Sequence, residues 1–129
     1  MARLSYQEVA IANGASLSGE VDLRNHRLVA IDMPATWTAA AITFAGAAAP
    51  DGARAATSPE PFDPVKDSGG TEVSITTAQA TYVVLTEAHR QALGGLARCK
   101  VRSGTAGAAV NQGQAVILTL VLEPRDSNT

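Results

Sequence analysis

The chain has 129 residues, of which 10 are Lys or Arg and 12 are Asp or Glu, for a formal charge of −2. That length supports one domain with a single core, and the even charge balance excludes the clustered cations of a nucleic-acid or anionic-membrane footprint. Only 4% of residues are aromatic, which leaves few rings on which bases or sugars could stack.

The chain opens with "MARLSYQEVAIANG", which carries no apolar signal-peptide core. Within it "YQEVAIA" alternates: Val9 and Ile11 share one face, Tyr6 and Glu8 the other. This period of two is the signature of a half-buried strand. "NGASLSG" reads as a turn. "EVDLR" then sets Val21 and Leu23 against Glu20, Asp22 and Arg24. "RNH" reads as a second turn, and "RLVAIDM" places Val29, Ile31 and Met33 together.

"TWTAAAITFAGAAA" (36–49) fits two patterns. Trp37, Ala41, Phe44 and Ala48 make a helical stripe, and alanine is the best helix former. Ile42 and Phe44 around Thr43 make a strand. The strand is the expectation, because Ile, Thr and Phe favour a pleat and Gly46 interrupts a helix. Residues 46–70 contain four prolines among Gly and Ala and read as a long loop, not a linker, since neither flank is large enough to be a domain.

Farther on, "EVSIT" pairs Val73 with Ile75, and "YVVLT" pairs Val83 with Leu85. "TEAHRQALGG" (86–95) is the helix candidate, with Thr86 as N-cap, Glu87 in the first turn and Gly94 as C-cap. "CKVRS" sets Cys99, Val101 and Ser103 against Lys100 and Arg102. "VILTLVLE" is almost continuously apolar, the pattern of a strand covered on both faces. "PRDSNT" ends the chain as a frayed tail. The expected fold is an all-β antiparallel sandwich, jelly-roll-like, of about eight strands with one short helix. A single domain spans 1–124, with a tail at 125–129. The expected core is Val29, Ile31, Ile42, Phe44, Val73, Ile75, Val83, Leu85, Val101, Leu118 and Leu120.

Candidate chemistry is sparse. Cys99 is the single cysteine, so no internal disulfide forms and the cytoplasm of the producing cell is the default compartment. Its place on an apolar face makes it a core thiol rather than a nucleophile. His26 and His89 lie far apart and outside any metal-ligand spacing. Asp63 and Asp67 in "FDPVKD" form a carboxylate pair of the kind surface loops carry routinely. Asp51 and Asp67 lack the pattern of a calcium-binding helix–loop–helix. Trp37, the one indole, reads as core or interface. No apolar run reaches the roughly 18 residues that span a bilayer.

"CKVRSGTAGAAVNQGQ" (99–114) poses the sharpest question. Its glycines resemble a phosphate-cradling loop, but it lacks the Gly-Lys-Ser/Thr ending and precedes a strand instead of a helix. It reads as an inter-strand loop with an assembly contact as the functional expectation. Arg102, Gly104, Ala108, Ala109, Asn111 and Gln112 are the candidate contact residues. Gly107 and Gly113 would add close backbone approach, and Ala106 a small apolar surface. No catalytic, metal or cofactor-binding residue is expected.

Three blocks carry a family resemblance. They are "VAIANGASLSGEVDLRNHRLVAIDMPATWTAAAITFAG", "FDPVKDSGGTEVSI" and "KVRSGTAGAAVNQ", and together they span most of residues 9 to 122. They resemble a group of small structural proteins of tailed phages, prophages and phage-like gene transfer agents. That group shares a "VDL" step, a "hRLVaI-x-MP-x-xWT-x-AaITF" block and an "lKvRSGT-x-x-x-xVNQ" segment. The chain departs from the group at 47–61, where Ala and Pro fill a connection that is usually shorter. The resemblance implies a non-enzymatic, capsid-attached accessory protein such as a spike base or decoration protein. It would be assembled in the bacterial cytoplasm and carried on the virion or particle. The implied partners are the major capsid protein or another virion protein, copies of the chain around a symmetry axis, and a fibre protein, with no nucleic acid, membrane or cofactor. The alternative is a carbohydrate-binding β-sandwich module for host-surface glycans.

Overall fold

The computed structural model describes residues 3–47 and 62–125. Its elements are β1 (Ser5–Ile11), β2 (Leu17–Asp22), β3 (His26–Asp32), β4 (Ile42–Ala47), β5 (Asp63–Pro64), β6 (Tyr82–Val84), α1 (Glu87–Leu93), β7 (Arg98–Ser103) and β8 (Val116–Pro124). They build two four-stranded antiparallel sheets, ordered β1-β8-β3-β6 (sheet I) and β2-β7-β4-β5 (sheet II). β1 pairs with β8, β2 with β7, β3 with β6 and β4 with β5. The chain is thus one antiparallel ribbon doubled back at the β4–β5 connection. Rolling that ribbon brings β3 against β8 and β4 against β7 as well. This is the jelly-roll arrangement, in which the first and last strands lie in the same sheet.

Alternation places the core. β7 reads half-buried and buried in strict turn, with Cys99, Val101 and Ser103 inward. β1 does the same with Val9 and Ile11. Inward residues of both sheets join one cluster that includes Ile31, Ile42, Phe44, Leu85, Val101, Leu118 and Leu120. Ile31, Ile42, Phe44, Val101, Leu118 and Leu120 have no exposed surface. Within the Ala-rich 36–49 segment Ile42–Ala47 form strand β4, and each of those six residues is buried. Gly46 owes its place to packing: a Cβ there would lie 2.6 Å from a Leu96 methyl carbon.

Two bulges shift side chains from their expected faces. In β3, Leu28 pairs with Leu122 and Ala30 with the very next partner, Val121, so Val29 is the extra residue. A bulge resets the inside–outside alternation. Leu28 therefore turns inward, and Val29, expected in the core, is only half-buried. Val83 is also half-buried, packed against the cluster's edge. In β2 the register shifts between Leu17 and Glu20. There the Ser18 hydroxyl accepts the Val101 N–H at 2.9 Å and replaces a ladder bond.

Other expectations need correction. "NGASLSG" is not turn throughout, since β2 already begins at Leu17. "EVSIT" forms no strand of its own. Glu72 and Ile75 make single bridges to Lys66 and Ile42, while Val73 and Ile75 stay buried. The long loop expected at 46–70 is shorter. Gly46 and Ala47 finish β4, and Asp63–Pro64 pair with it as β5. Residues 48–61 of that loop, and 126–129 of the expected tail, lie outside the described residues. Arg125 is not frayed: its Nε donates to the Leu23 carbonyl at 2.9 Å and its amide to Asn25 at 3.0 Å.

The helix forms where its caps predict. Thr86 Oγ1 accepts the His89 N–H at 3.1 Å, and His89 Nδ1 accepts the Thr86 N–H in return. His89 thus takes the place of the usual Glu in a capping box. Gly94 caps the C-terminus in right-handed geometry, with φ −68°. Buried Leu93 anchors the helix across one end of the sandwich.

Candidate functional site

The β7–β8 connection is a second, smaller hairpin. Gly104 bridges Ala109, the Thr105 amide donates to the Ala108 carbonyl at 3.3 Å, and the Ala108 amide donates back at 3.2 Å. Ala106 and Gly107 form the exposed tip. Gly104 has φ +89°, and a Cβ there would strike the Val110 nitrogen at 2.6 Å and the Ala108 oxygen at 2.7 Å. Both constraints demand glycine. The Gly104 carbonyl accepts the Thr43 hydroxyl at 2.6 Å, and its amide donates to Ala41 at 2.8 Å.

The donors a phosphate would need are engaged inside the chain. The Ala106 amide donates to both oxygens of Glu72, at 3.2 and 3.1 Å. Arg102 Nη1 lies 3.2 Å from the same carboxylate, and the two side chains are only 13% and 17% exposed. Glu72 is therefore the anion this loop holds. At such burial the pairing is set by geometry and resists screening more than a surface pair does.

Gln112 fixes the far side of the hairpin. It is 1% exposed. Its Oε1 accepts the Thr38 amide at 2.8 Å, and its Nε2 donates to the Thr38 carbonyl at 3.1 Å and to Ser103 Oγ at 2.7 Å. Its amide and carbonyl pair with Ala15 and Gly14. The Gln112 side-chain amide is thus engaged at both its oxygen and its nitrogen inside the fold.

The six candidate contact residues therefore divide. Ala108, Ala109 and Asn111 are exposed on the hairpin, with Ala106 and Gly107 beside them. Gly104 and Gln112 are buried and build the platform beneath, and Arg102, on the outward face of β7, lies against Glu72. All three are engaged within the chain: Arg102 with Glu72, Gly104 with Thr43 and Ala41, and Gln112 with Thr38 and Ser103. The exposed Gly113 is tied back as well, its amide donating to Thr38 Oγ1 at 3.0 Å.

The remaining chemistry-bearing residues are structural in the same sense. Burial pushes the Cys99 thiol up to about 12, which leaves no thiolate at neutral pH. Trp37 is buried, with its indole N–H on the Ala40 carbonyl at 3.1 Å. Asp67 Oδ1 accepts the amides of Gly69 and Thr71 and closes a turn. A cleft of about 340 Å³ brings Asp67, Glu72 and His89 to one wall. Each of the three is already committed: to a turn, to Arg102 with the Ala106 amide, and to the helix cap. Among the described residues, no three His, Cys, Asp or Glu side chains come together as metal ligands.

Sequence reasoning missed two residues that shape the site, Glu72 and Thr38. Glu72 reads as an outward strand residue and Thr38 as one of many threonines. Their roles depend on partners 30 and 74 positions away, for which local pattern gives no signal. Comparison of the chain with family models, curated proteins and solved structures returns no match.

Proposed function

We propose that this chain is a structural component of a phage or phage-like particle, a capsid-attached accessory protein of the spike-base or decoration type that acts through protein–protein contacts. The observation that carries the reading is the β7–β8 hairpin. It presents Ala106, Gly107, Ala108, Ala109 and Asn111 to solvent on a base fixed by Glu72, Gln112 and Gly104. A small, low, rigid tip loses little conformational entropy when a neighbour covers it. The three sequence blocks that resemble particle proteins include this hairpin. The jelly roll is at home in capsid proteins, which supports the reading only by analogy of fold. The partner proposed for the tip is the major capsid protein or another virion protein, with copies arranged around a symmetry axis so that weak contacts add.

The test replaces Ala108 and Ala109 together with Glu. The isolated domain keeps its melting temperature, because both positions are exposed, and incorporation into particles falls by about tenfold or more. Normal incorporation moves the contact elsewhere.

A carbohydrate-binding module is the second reading. Tyr6 and Tyr82, 66% and 55% exposed, are the rings that favour it, since aromatic faces stack on sugars; buried Trp37 offers no such platform. Saturable binding on a glycan array that is lost in Tyr82→Ala would select this reading.

A further inference from the structure

Among the described residues the exposed large hydrophobic side chains are Leu4, Tyr6, Tyr82, Val84 and Ile117. All of them lie on one surface, the outer face of sheet I. Alternation decides this for the strand residues: Val9 and Ile11 point into the core, so Tyr6 points out, and Leu4 precedes the strand beside it. Leu118 and Leu120 point in, so Ile117 points out. Register then lines the residues up. Tyr6, Val121, Ala30 and Val84 form one row across β1, β8, β3 and β6. The middle of the row is closed, with Val121 at 1% and Ala30 at 2% exposure, while its ends stand open at 66% and 67%.

Charge divides the face about that row. One pleat along the strands the row reads Glu8, Thr119, Asp32 and Tyr82. Glu8 and Asp32 take part in no ion pair among the described residues. One pleat the other way stand Arg27 and Glu123, 3.3 Å apart. Beyond them Arg27, Arg90 and Arg125 line one cleft with Glu87. Arg90 pairs with Glu87, and among the described residues Arg125 is held by the Leu23 and Leu96 carbonyls. The face is therefore acidic at one end, basic at the other and apolar between.

We propose that this face is an isologous contact between two copies of the chain, with the two-fold axis running along the row Tyr6–Val121–Ala30–Val84. The open ends of the row, Tyr6 and Val84, then each meet their own counterpart over its closed middle, and the flanking rows exchange places. Arg27 lies opposite Asp32 of the second copy, at both ends of the contact. A surface that is its own electrostatic complement is what a two-fold requires. An axis along the strands instead sets acidic end against acidic end and arginine cleft against arginine cleft.

Size sets the strength. Four strands about 4.8 Å apart, covered over about five residues at ~3.3 Å each, give roughly 300–400 Å² per copy. That falls short of the ~800 Å² per partner of a standard interface. The free dimer is therefore weak, with Kd on the order of 100 μM, and multivalent assembly strengthens it. The contact uses none of the β7–β8 hairpin, and its test needs only the purified chain, so it stands or falls apart from the particle reading.

Sedimentation velocity from about 10 μM to 1 mM is the primary measurement, with a Kd on the order of 100 μM expected. Val84→Glu weakens association by about tenfold or more, the effect of a buried unpaired charge. Its dilute melting temperature does not change. Asp32→Arg alone sets two arginines opposite each other and also weakens the dimer. Adding Arg27→Asp to it restores affinity to within about threefold, since the opposite charges meet again across the axis. Val84→Cys gives a symmetric disulfide-linked dimer on mild oxidation, and Glu8→Cys does not. A chain that stays monomeric to about 1 mM overturns the proposal, as does Val84→Glu without effect or a double variant no better than Asp32→Arg.

Discussion

The outer faces of the two sheets begin with similar material and finish differently. On sheet II the outward residues of β4 include the small apolar Ala45 and Ala47, and the chain covers them itself. Phe62 packs on Ala45 and Ala47, with Leu17 at the edge. Cations close the ring from above: Lys100 Nζ lies 4.8 Å and the Arg98 guanidinium 5.2 Å from its centroid. Arg98 is steadied in turn by Glu20 at 2.8 Å. On sheet I the middle of the outer face, at Val121 and Ala30, is closed as well, but its ends are not. Tyr6, Val84 and Ile117 stand open on it, although β8 at its centre is nearly as apolar as β4. An apolar outer face that a monomer covers is part of its core; one it leaves open is where a second surface belongs.

The inner face common to both sheets sets the upper limit against which either outer face is measured. Phe44 projects into it with no exposed surface. Phe44→Ala is expected to cost about 3–5 kcal/mol, because transfer and cavity terms add at a fully enclosed site. Chemical denaturation at fixed temperature measures this as a lower midpoint with an unchanged slope. A midpoint that does not move would mean the two sheets do not share this core.

The outer faces separate at the next level. Phe62→Ala uncovers Ala45 and Ala47 and removes both cation contacts. It is expected to cost about 2–3 kcal/mol, less than Phe44 because a rim site collapses and rehydrates more easily. Val84→Ala on sheet I removes a side chain already 67% exposed, and in dilute solution it is expected to change stability by less than about 0.5 kcal/mol. Thermal melts of both variants at low concentration make the comparison. Equal losses would show that sheet I is covered after all.

Much of this fold was legible in the chain because water on one side of a strand leaves a mark on every second residue. "CKVRS" and "YQEVAIA" carry that mark, and both behave as expected. "RLVAI" does not carry it. Leu28, Val29, Ala30 and Ile31 are all apolar, so nothing polar labels the outward side and the bulge at Val29 leaves no trace. "VILTLVLE" hides the same ambiguity: apolar residues on both faces look the same whether the second face is covered or merely available. The hairpin failed for another reason. Gln112 reads as an exposed amide because polar side chains usually are, but Thr38 and Ser103 satisfy it inside, and such partners come only from tertiary structure. Gly104 was singled out correctly as a special position. It serves close approach within the chain.

The smallest expected effect belongs to the polar rim of sheet II. Asp22, at the end of β2, binds Arg24 through a 2.7 Å ion pair and also accepts the Arg24 amide at 2.9 Å. The hydrogen bonds from the Arg24 side chain, and then from its backbone, pull the Asp22 carboxyl down from 3.8 to about 2. A carboxyl that is more acidic in the folded chain contributes stability above its unfolded value. That contribution fades as pH falls from about 4 towards about 2, where the folded group protonates as well. Both side chains are about half exposed, so solvent screening cuts the gain far below what the shift alone implies. Asp22→Asn keeps an oxygen for the Arg24 amide and removes only the charge. Its melting temperature should lie slightly below that of the parent at pH 5, and the two curves should meet near pH 2. Raising salt at pH 5 should narrow the same gap, because solvent and ions screen a half-exposed pair. A gap that persists at pH 2 would mean that the turn, not the charge, had been lost. A large gap at pH 5 would place this rim on a level with the covered apolar face beside it.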